Sequence, residues 1–415
     1  MLNLNIAAAV SEERLWARHV QMARIGGTPK GGVKRLALTR EDIEARSLLV
    51  SWAKELGFAC GADDMGNMFF RREGTDPGAA PVLSGSHTDS QISGGRFDGI
   101  YGVLAGFEVL HAAKDAEIVT KRPMETVVWT GEEGSRFSAG CMGSQVFADP
   151  GKLEQMLALK DPDGVTVAQA LAEFQAAIPD LVRRPFEFPV DAFVEVHIEQ
   201  GPILEATGNV VGIVTGIQGT RRYTVKVRGE EAHAGTTPRA HRKDALLAAV
   251  DMIAALRRLM DDAEDKARFT VGHLVVSPNG SAVVPSHVLF TIDFRHPEDE
   301  ALARLGDQVE QICIDNAGTC EVTVSETRRA PTDWFPNLVP DAILAAAKKL
   351  EIPHMHIFSG AGHDARYLLA RCPSGMIFVP CEKGISHTEA ENAKPQDLAA
   401  GARVLAETMV ALANR

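Results

Sequence analysis

Basic residues are the minority charge in this chain: 43 Lys and Arg stand against 55 Asp and Glu, a formal charge of −12 over 415 residues. A nucleic-acid surface needs a surplus of Lys and Arg to neutralise phosphates, so none is expected. Long apolar runs are missing as well; nothing approaches the roughly 18–20 residues of a membrane-spanning helix. The opening segment Met1–Val10 carries no basic stretch and runs into Glu12, Glu13 and Arg14. It reads as the lead-in to a helix, not a signal peptide. The six cysteines (Cys60, Cys141, Cys313, Cys320, Cys372, Cys381) are scattered without a CxxC pair. That argues against a disulfide framework and favours reduced thiols in a cytoplasm. Internal repeats and low-complexity tracts are lacking too. What remains is a globular composition, 45% hydrophobic and 24% charged, with enough chain for two or three domains.

Residues 39–57 carry helix signals: Thr39 as a cap, acidic residues in the first turn and Gly57 as a stop. Strand-like runs at 81–85 and 125–130 flank a helical pattern at 102–114, an alternation that predicts an α/β sheet. The texture changes from about Val211. A period-two run at 223–229 is followed by a helix over 244–259 and strands over 269–276 and 288–294. A helix over 297–317 and a strand over 320–325 complete the series. The order β-α-β-β-α-β is that of a ferredoxin-like module. A discontinuous chain is therefore expected, with residues 1–211 and 328–415 as one domain and 212–327 inserted into it.

Histidine is scarce, 13 in all, so the place of each matters. His87 and Asp89 sit two apart at the end of an apolar strand, hence on one face. An aspartate there can hold one imidazole nitrogen and leave the other for a metal; alone, HxD is equally an ordinary polar strand end. Asp98 lies in the glycine-rich loop Gly94–Gly99 before a helix, where a capping role is as natural as any other. Glu132 and Glu133 follow a buried-looking strand, at the edge where open α/β sheets bind ligands. Two carboxylates held close divide labour readily, one ionised on a metal and one moving protons. His197 and His387 complete the set. Three histidines, an aspartate and a Glu-Glu pair at strand ends form an N/O ligand group that suits Zn, Mn, Co or Ni, and two ions if the aspartate bridges.

The motifs GSHTDS, GGRFDGIYGVLAG, GEEGSRF, CMGS, HIEQGP, HAGTTP, FRHP, SGAGHDA and IFVPCEKGISH, in this order and spread over nearly the whole chain, resemble the hydantoinase/carbamoylase amidases. That group includes N-carbamoyl-L-amino acid amidohydrolases, β-ureidopropionases and allantoate amidohydrolases, within the wider dinuclear metallopeptidases and deacylases. The resemblance implies a mixed-sheet dinuclear metallohydrolase domain with the inserted module as a lid and dimerisation domain. It implies one metal on His87 and His197, another on Glu133 and His387, and Asp98 bridging them. Glu132 would be the general base and later proton donor, with Asp89 holding His87. His233 would help to stabilise the oxyanion. Arg295 would clamp the substrate carboxylate, and Gln200, Arg221, Gly360 and His363 would also contact substrate. A homodimer acting on a small ureido acid is implied, with no nucleic-acid or membrane partner.

The chain departs from that pattern at Ala282, where related enzymes usually carry an Asn that helps bind the substrate carboxylate; Ala has no side-chain donor. Arg239 replaces the Met common after Thr-Thr-Pro, and Gly131 replaces the Asn before the two glutamates. The expected reaction is hydrolysis of an N-carbamoyl amino acid to amino acid, ammonia and CO2. Allantoate is the nearest competing substrate. A catalytically silent binding protein on the same scaffold would have lost a ligand or the base, and all six residues are present.

Overall fold

The computed structural model describes residues 6–415, so the start of the predicted N-terminal lead-in lies outside the described residues. The chain forms two compact units, one running up to Thr215 and resuming at Phe335–Arg415, the other Gly216–Trp334.

The larger unit is built on a mixed sheet. Its strands are β1 (Ala59–Ala62), β2 (Met68–Arg72), β3 (Val82–His87), β4 (Met124–Trp129), β5 (Val182–Arg183), β6 (Ala192–Ile198), β7 (Val211–Ile217), β8 (His354–Ser359) and β9 (Ser374–Val379). They lie in the order β7-β9-β6-β3-β4-β2-β1-β5, with β8 also paired to β7. The four central strands β9, β6, β3 and β4 are parallel to one another, whereas β7 and β2 join them antiparallel. Every residue of these four strands is buried, as expected of parallel strands covered on both faces. Their common direction brings four carboxyl ends to one edge of the sheet.

The helix Ile100–Asp115 packs on this sheet and is apolar nearly all round; Val103, Leu104, Phe107 and Leu110 are wholly buried. Each such side chain contributes about 1.5–3 kcal/mol. Its buried carboxylate, Glu108, is satisfied by Arg14 at 2.6 and 2.8 Å and Arg18 at 3.1 Å, which straps the helix Glu12–Met22 across it. The helix Arg40–Leu56 stops at Gly57, as its sequence predicts, but Thr39 does not cap it through its side chain: the hydroxyl donates to the Leu36 carbonyl at 2.9 Å.

The smaller unit has a four-stranded antiparallel sheet ordered Arg268–Ser277, His287–His296, Gly219–Arg228, Glu321–Ala330. Side chains from one face (Tyr223, Val225, Val227, Phe290, Ile292) form a core with Met252 and Leu256 of the helix Ala245–Leu259. Strand order and connections are those of a split β-α-β module. The single helix expected over 297–317 is instead two, Asp299–Gly306 and Val309–Asp315. Side chains of the neighbouring strand meet this stretch: Arg221 donates at 3.2 Å to the Ala303 carbonyl, which keeps its bond from the Asp307 amide, and Tyr223 donates to the Gly306 carbonyl at 2.9 Å. A single 3-10 turn, Arg239–His241, follows the Thr-Thr-Pro segment, ahead of the helix expected over 244–259. That helix starts at Ala245, where Asp244 accepts from the Leu246 and Leu247 amides.

Candidate metal centre

The shared edge of the parallel strands assembles the site. His87 ends β3, His197 lies near the end of β6, Glu132 and Glu133 follow β4, and His387 follows β9. Asp98 arrives from the loop that leads into the helix Ile100–Asp115.

Asp98 is the axis of the arrangement. One of its oxygens, Oδ1, lies 3.0 Å from His197 Nε2 and 3.8 Å from His87 Nε2. The other, Oδ2, lies 3.2 Å from His387 Nε2, which in turn is 3.7 Å from Glu133 Oε2. Two ligand groups result, His87–Asp98–His197 and Asp98–Glu133–His387, each with donor atoms within 4.8 Å of one another. The Nδ1 atoms of His87 and His197 face the carbonyl oxygens of Asp89 and Ile198, each at 2.9 Å. A carbonyl only accepts, so those nitrogens carry protons, and Nε2 is the nitrogen each ring turns toward Asp98.

The electrostatics favour a cation. Hydrogen bonds from His197 and His387 outweigh burial and hold Asp98 well below the usual carboxylate range. Burial pulls His197 down, but the hydrogen bond and charge of Asp98 prevail and lift it to about 9. His387 rises to about 9, first through its hydrogen bond to Asp98. Burial, then the Asp98 charge, pushes Glu133 up to about 8. Protons thus occupy imidazoles around a bridging carboxylate, where a divalent ion would displace them. Glu133 Oε1 is buried with no hydrogen-bond partner among the described residues, which leaves a carboxylate oxygen for coordination. The residues fit a pair of divalent ions bound through nitrogen and oxygen.

Neighbouring groups fix these ligands. The Glu391 carboxylate accepts the Phe97 and Asp98 amides at 2.9 and 3.0 Å and the Ser386 hydroxyl at 2.8 Å. Gln200 donates to Asp98 Oδ2 at 2.9 Å. Gln91, itself held by Ser135, donates to Glu133 Oε2 at 2.6 Å. Asp89 stands beside His87, with its carboxylate Oδ1 3.7 Å from Nδ1. Its backbone carbonyl holds His87, while its carboxylate accepts the Glu132 and Glu133 amides, both at 3.2 Å. Asp89 therefore shapes the turn that carries both glutamates. Deeper still, Thr88 donates to Asp42, which is paired at 2.9 Å with the fully buried Arg46; Arg46 reaches Thr130 Oγ1 at 3.2 Å.

Glu132 lies in neither ligand group; its Oε2 is 3.6 Å from His87 Nε2. Its Oε1 accepts from the Cys141 thiol at 3.2 Å. Burial, followed by the charges of Asp364, Glu133 and Asp89, raises its pKa well above the ordinary carboxylate value. A carboxylate whose proton affinity is raised in this way suits accepting a proton from a reacting atom and passing it on.

The other residues singled out from sequence divide. His363 is buried, its ring 4.7 Å from that of His197 and its Nε2 3.0 Å from Ser359 Oγ. It packs against the ring of His197. Gly360 sits exposed in the loop after β8. In the smaller unit, Arg221 is not available to a substrate: Glu326 takes its Nε and Nη2 at 2.8 and 3.0 Å, and Asp307 takes Nη1 at 2.6 Å. Arg295 makes a fork to Asp293 at 2.8 and 3.1 Å. His233 is exposed, and its Nδ1 accepts the Gly235 and Thr236 amides at 3.0 and 3.1 Å, which places its proton on Nε2. Sequence reading missed Glu391, Gln91 and Arg46. The acidic Glu389-Ala-Glu391 after His387 was the one visible signal.

Residues 83–411 match peptidase family M20/M25/M40. The chain is 39% identical over 400 residues to an N-carbamoyl-L-amino-acid amidohydrolase of Rhizobium meliloti, covering 95% of each chain. It is 34% identical to an allantoate amidohydrolase of Bacillus subtilis, covering 94% of this chain and 95% of the other. Among solved structures, an amidase of the hydantoinase/carbamoylase family from Burkholderia multivorans superposes with a TM-score of 0.92 at 45% identity, covering 98% of both.

Proposed function

The chain belongs to peptidase family M20/M25/M40 and, within it, to the hydantoinase/carbamoylase amidases; from that premise we propose that it is a metal-dependent amidohydrolase converting an N-carbamoyl-L-amino acid to the amino acid, ammonia and CO2. The observation that carries the reading is Asp98, whose two oxygens each face a separate ligand group. Identity of 39% to a carbamoyl-amino-acid hydrolase against 34% to an allantoate hydrolase favours the first substrate over the second.

Divalent ions held by His87, His197 and Asp98 and by Asp98, Glu133 and His387 would polarise the ureido carbonyl and acidify a water. Zn, Mn, Co and Ni all suit this donor set. Glu132 takes the proton of the attacking water and returns it to the leaving nitrogen. Asp89 and Cys141 hold it for that task through its amide and its Oε1. His233 presents Nε2–H, a donor suited to a developing oxyanion. Arg295, oriented by Asp293, offers its guanidinium to the substrate carboxylate. The proposal extends to a cytoplasmic homodimer joined through the smaller unit, where Leu247, Val250, Leu274 and Val275 expose apolar surface.

Metal analysis of the purified protein, with ammonia release from N-carbamoyl α- and β-amino acids and from allantoate, tests the reading. Turnover confined to N-carbamoyl-L-amino acids and abolished by chelation is expected. Preference for allantoate would replace the substrate assignment, and full activity without metal would overturn the mechanism.

A further inference from the structure

Cys141 occupies a position that its local backbone does not favour. It has φ 52° and ψ 36°, the left-handed region, immediately before the helix Met142–Ala148. Residues with a Cβ avoid that region, and Gly or Asn normally fills it. Such conformations persist where surrounding contacts over-determine them, and they gather at functional sites. Here the contacts are plain. The amides of Cys141, Met142 and Gly143 donate to the carbonyls of Glu132, Gly131 and Thr130 at 2.8, 3.0 and 2.8 Å. This short ladder runs the segment beside the chain that leaves β4. It turns the Cys141 side chain inward, where the thiol donates to Glu132 Oε1 at 3.2 Å.

We propose that Cys141 is the positioning residue of Glu132, its thiol holding Oε1 so that Oε2 stays turned toward His87 and the reacting centre. The inference rests on the amidohydrolase reading for the role of Glu132. The contact itself is a separate matter of geometry. A carboxylate on a two-torsion stem has rotamers that swing it away from the cations. Glu133, its neighbour, is pinned by Gln91 at 2.6 Å. Among the described residues, the hydrogen bond to the carboxylate of Glu132 comes from Cys141. The chemistry of the donor is apt. A thiol is a weak donor, strong enough to bias a rotamer and weak enough to let the carboxylate change its proton state in each half of the reaction. It is also buried, with its ionisation pushed far above 9 by burial and the adjacent carboxylates, so it persists as S–H.

Four proteins test this: wild type, Cys141→Ala and Cys141→Ser, each assayed for kcat, KM, bound metal and Tm, and Glu132→Gln for its S–H band, with an infrared S–H difference spectrum between wild type and Cys141→Ala. Cys141→Ala is expected to lower kcat about tenfold, with KM and metal content within twofold of wild type. Cys141→Ser, which keeps a donor, is expected to recover most of that loss. The S–H band of Cys141 is expected to be shifted toward that of a hydrogen-bonded thiol and to move again in Glu132→Gln. Equal kcat in wild type and Cys141→Ala, or equal losses in Ala and Ser, would overturn the proposal. So would an S–H band at the frequency of a free thiol, a result that needs no turnover. A wild type that hydrolyses no ureido acid would instead sink the amidohydrolase reading, leaving the S–H band to decide the contact.

Discussion

Gly99→Ala should dismantle the metal centre without touching a ligand. Gly99 adopts φ 67° and ψ −57°, a combination strained for any residue with a Cβ. A Cβ built there would lie 2.2 Å from His87 Cε1 and 2.3 Å from its Nε2. Contacts under 3.0 Å must be relieved, and His87 is buried in the end of β3 with its Nδ1 already bonded. The backbone conformation costs about 1–3 kcal/mol and the overpacking about 1–3 kcal/mol more. Relief moves either the His87 ring or the Asp98 loop, so the cost falls on the geometry that binds cations. At 1.4 kcal/mol per factor of ten, ~2–6 kcal/mol weakens metal binding by roughly 30-fold to 10⁴-fold. Gly164→Ala is the control: φ is 85° there too, but nothing lies within 4 Å, so it carries only a backbone cost of about 1 kcal/mol. Competition with a chelator measures the affinities, and thermal unfolding runs in parallel. If Gly99→Ala binds metal within threefold of wild type and melts no lower than Gly164→Ala, the steric reasoning is wrong.

Glu132→Gln should retain its metal and lose roughly 10²–10⁴-fold in kcat, checked by metal analysis beside ammonia release. Arg46→Leu strands the wholly buried Asp42 carboxylate, and urea unfolding should show a loss of about 3–5 kcal/mol. His19 is fully buried between Phe97 and Tyr101, with neither ring nitrogen bonded among the described residues. Burial, then the charge of Arg96, lowers its pKa to about 3. The unfolded chain protonates it near 6.5, so it binds more protons than the folded state between those values, and stability falls as pH drops through that window. At pH 5 the loss is about 2 kcal/mol; His19→Leu should shrink the difference in unfolding free energy between pH 7 and pH 5 by that amount.

The sequence was most informative where the signal is local. Gly57 ends a helix because a left-handed cap acts within a turn, and Glu41 and Asp42 mark its first turn. The strand-end histidines and acids were visible for the same reason, and the family motifs then paired them. What could not be read were bonds to main-chain atoms and across long loops. That the Asp89 carboxylate serves two amides while its carbonyl serves His87 has no sequence signature. Glu391 reaches Asp98 across 293 residues, a separation no periodicity reports. Arg221 was expected to contact substrate, yet Glu326 and Asp307 claim it, because an arginine alternating along a strand looks the same whether its partner is a ligand or the protein itself. His363 was expected to contact substrate from a glycine-rich loop and packs against the ring of His197.

The Asp98 loop is fastened by a carboxylate that enters the chain 293 positions later, and this sets an order on biosynthesis. A ribosome that has made β3, β6 and the whole smaller unit has produced two of the three imidazoles but neither His387 nor the anchor at 391. The centre therefore closes only as the final helix, Pro395–Ala413, is being delivered. Of the two ligand groups, His87, Asp98 and His197 are all made by residue 197, whereas the meeting of Asp98 with Glu133 and His387 waits for the finished chain.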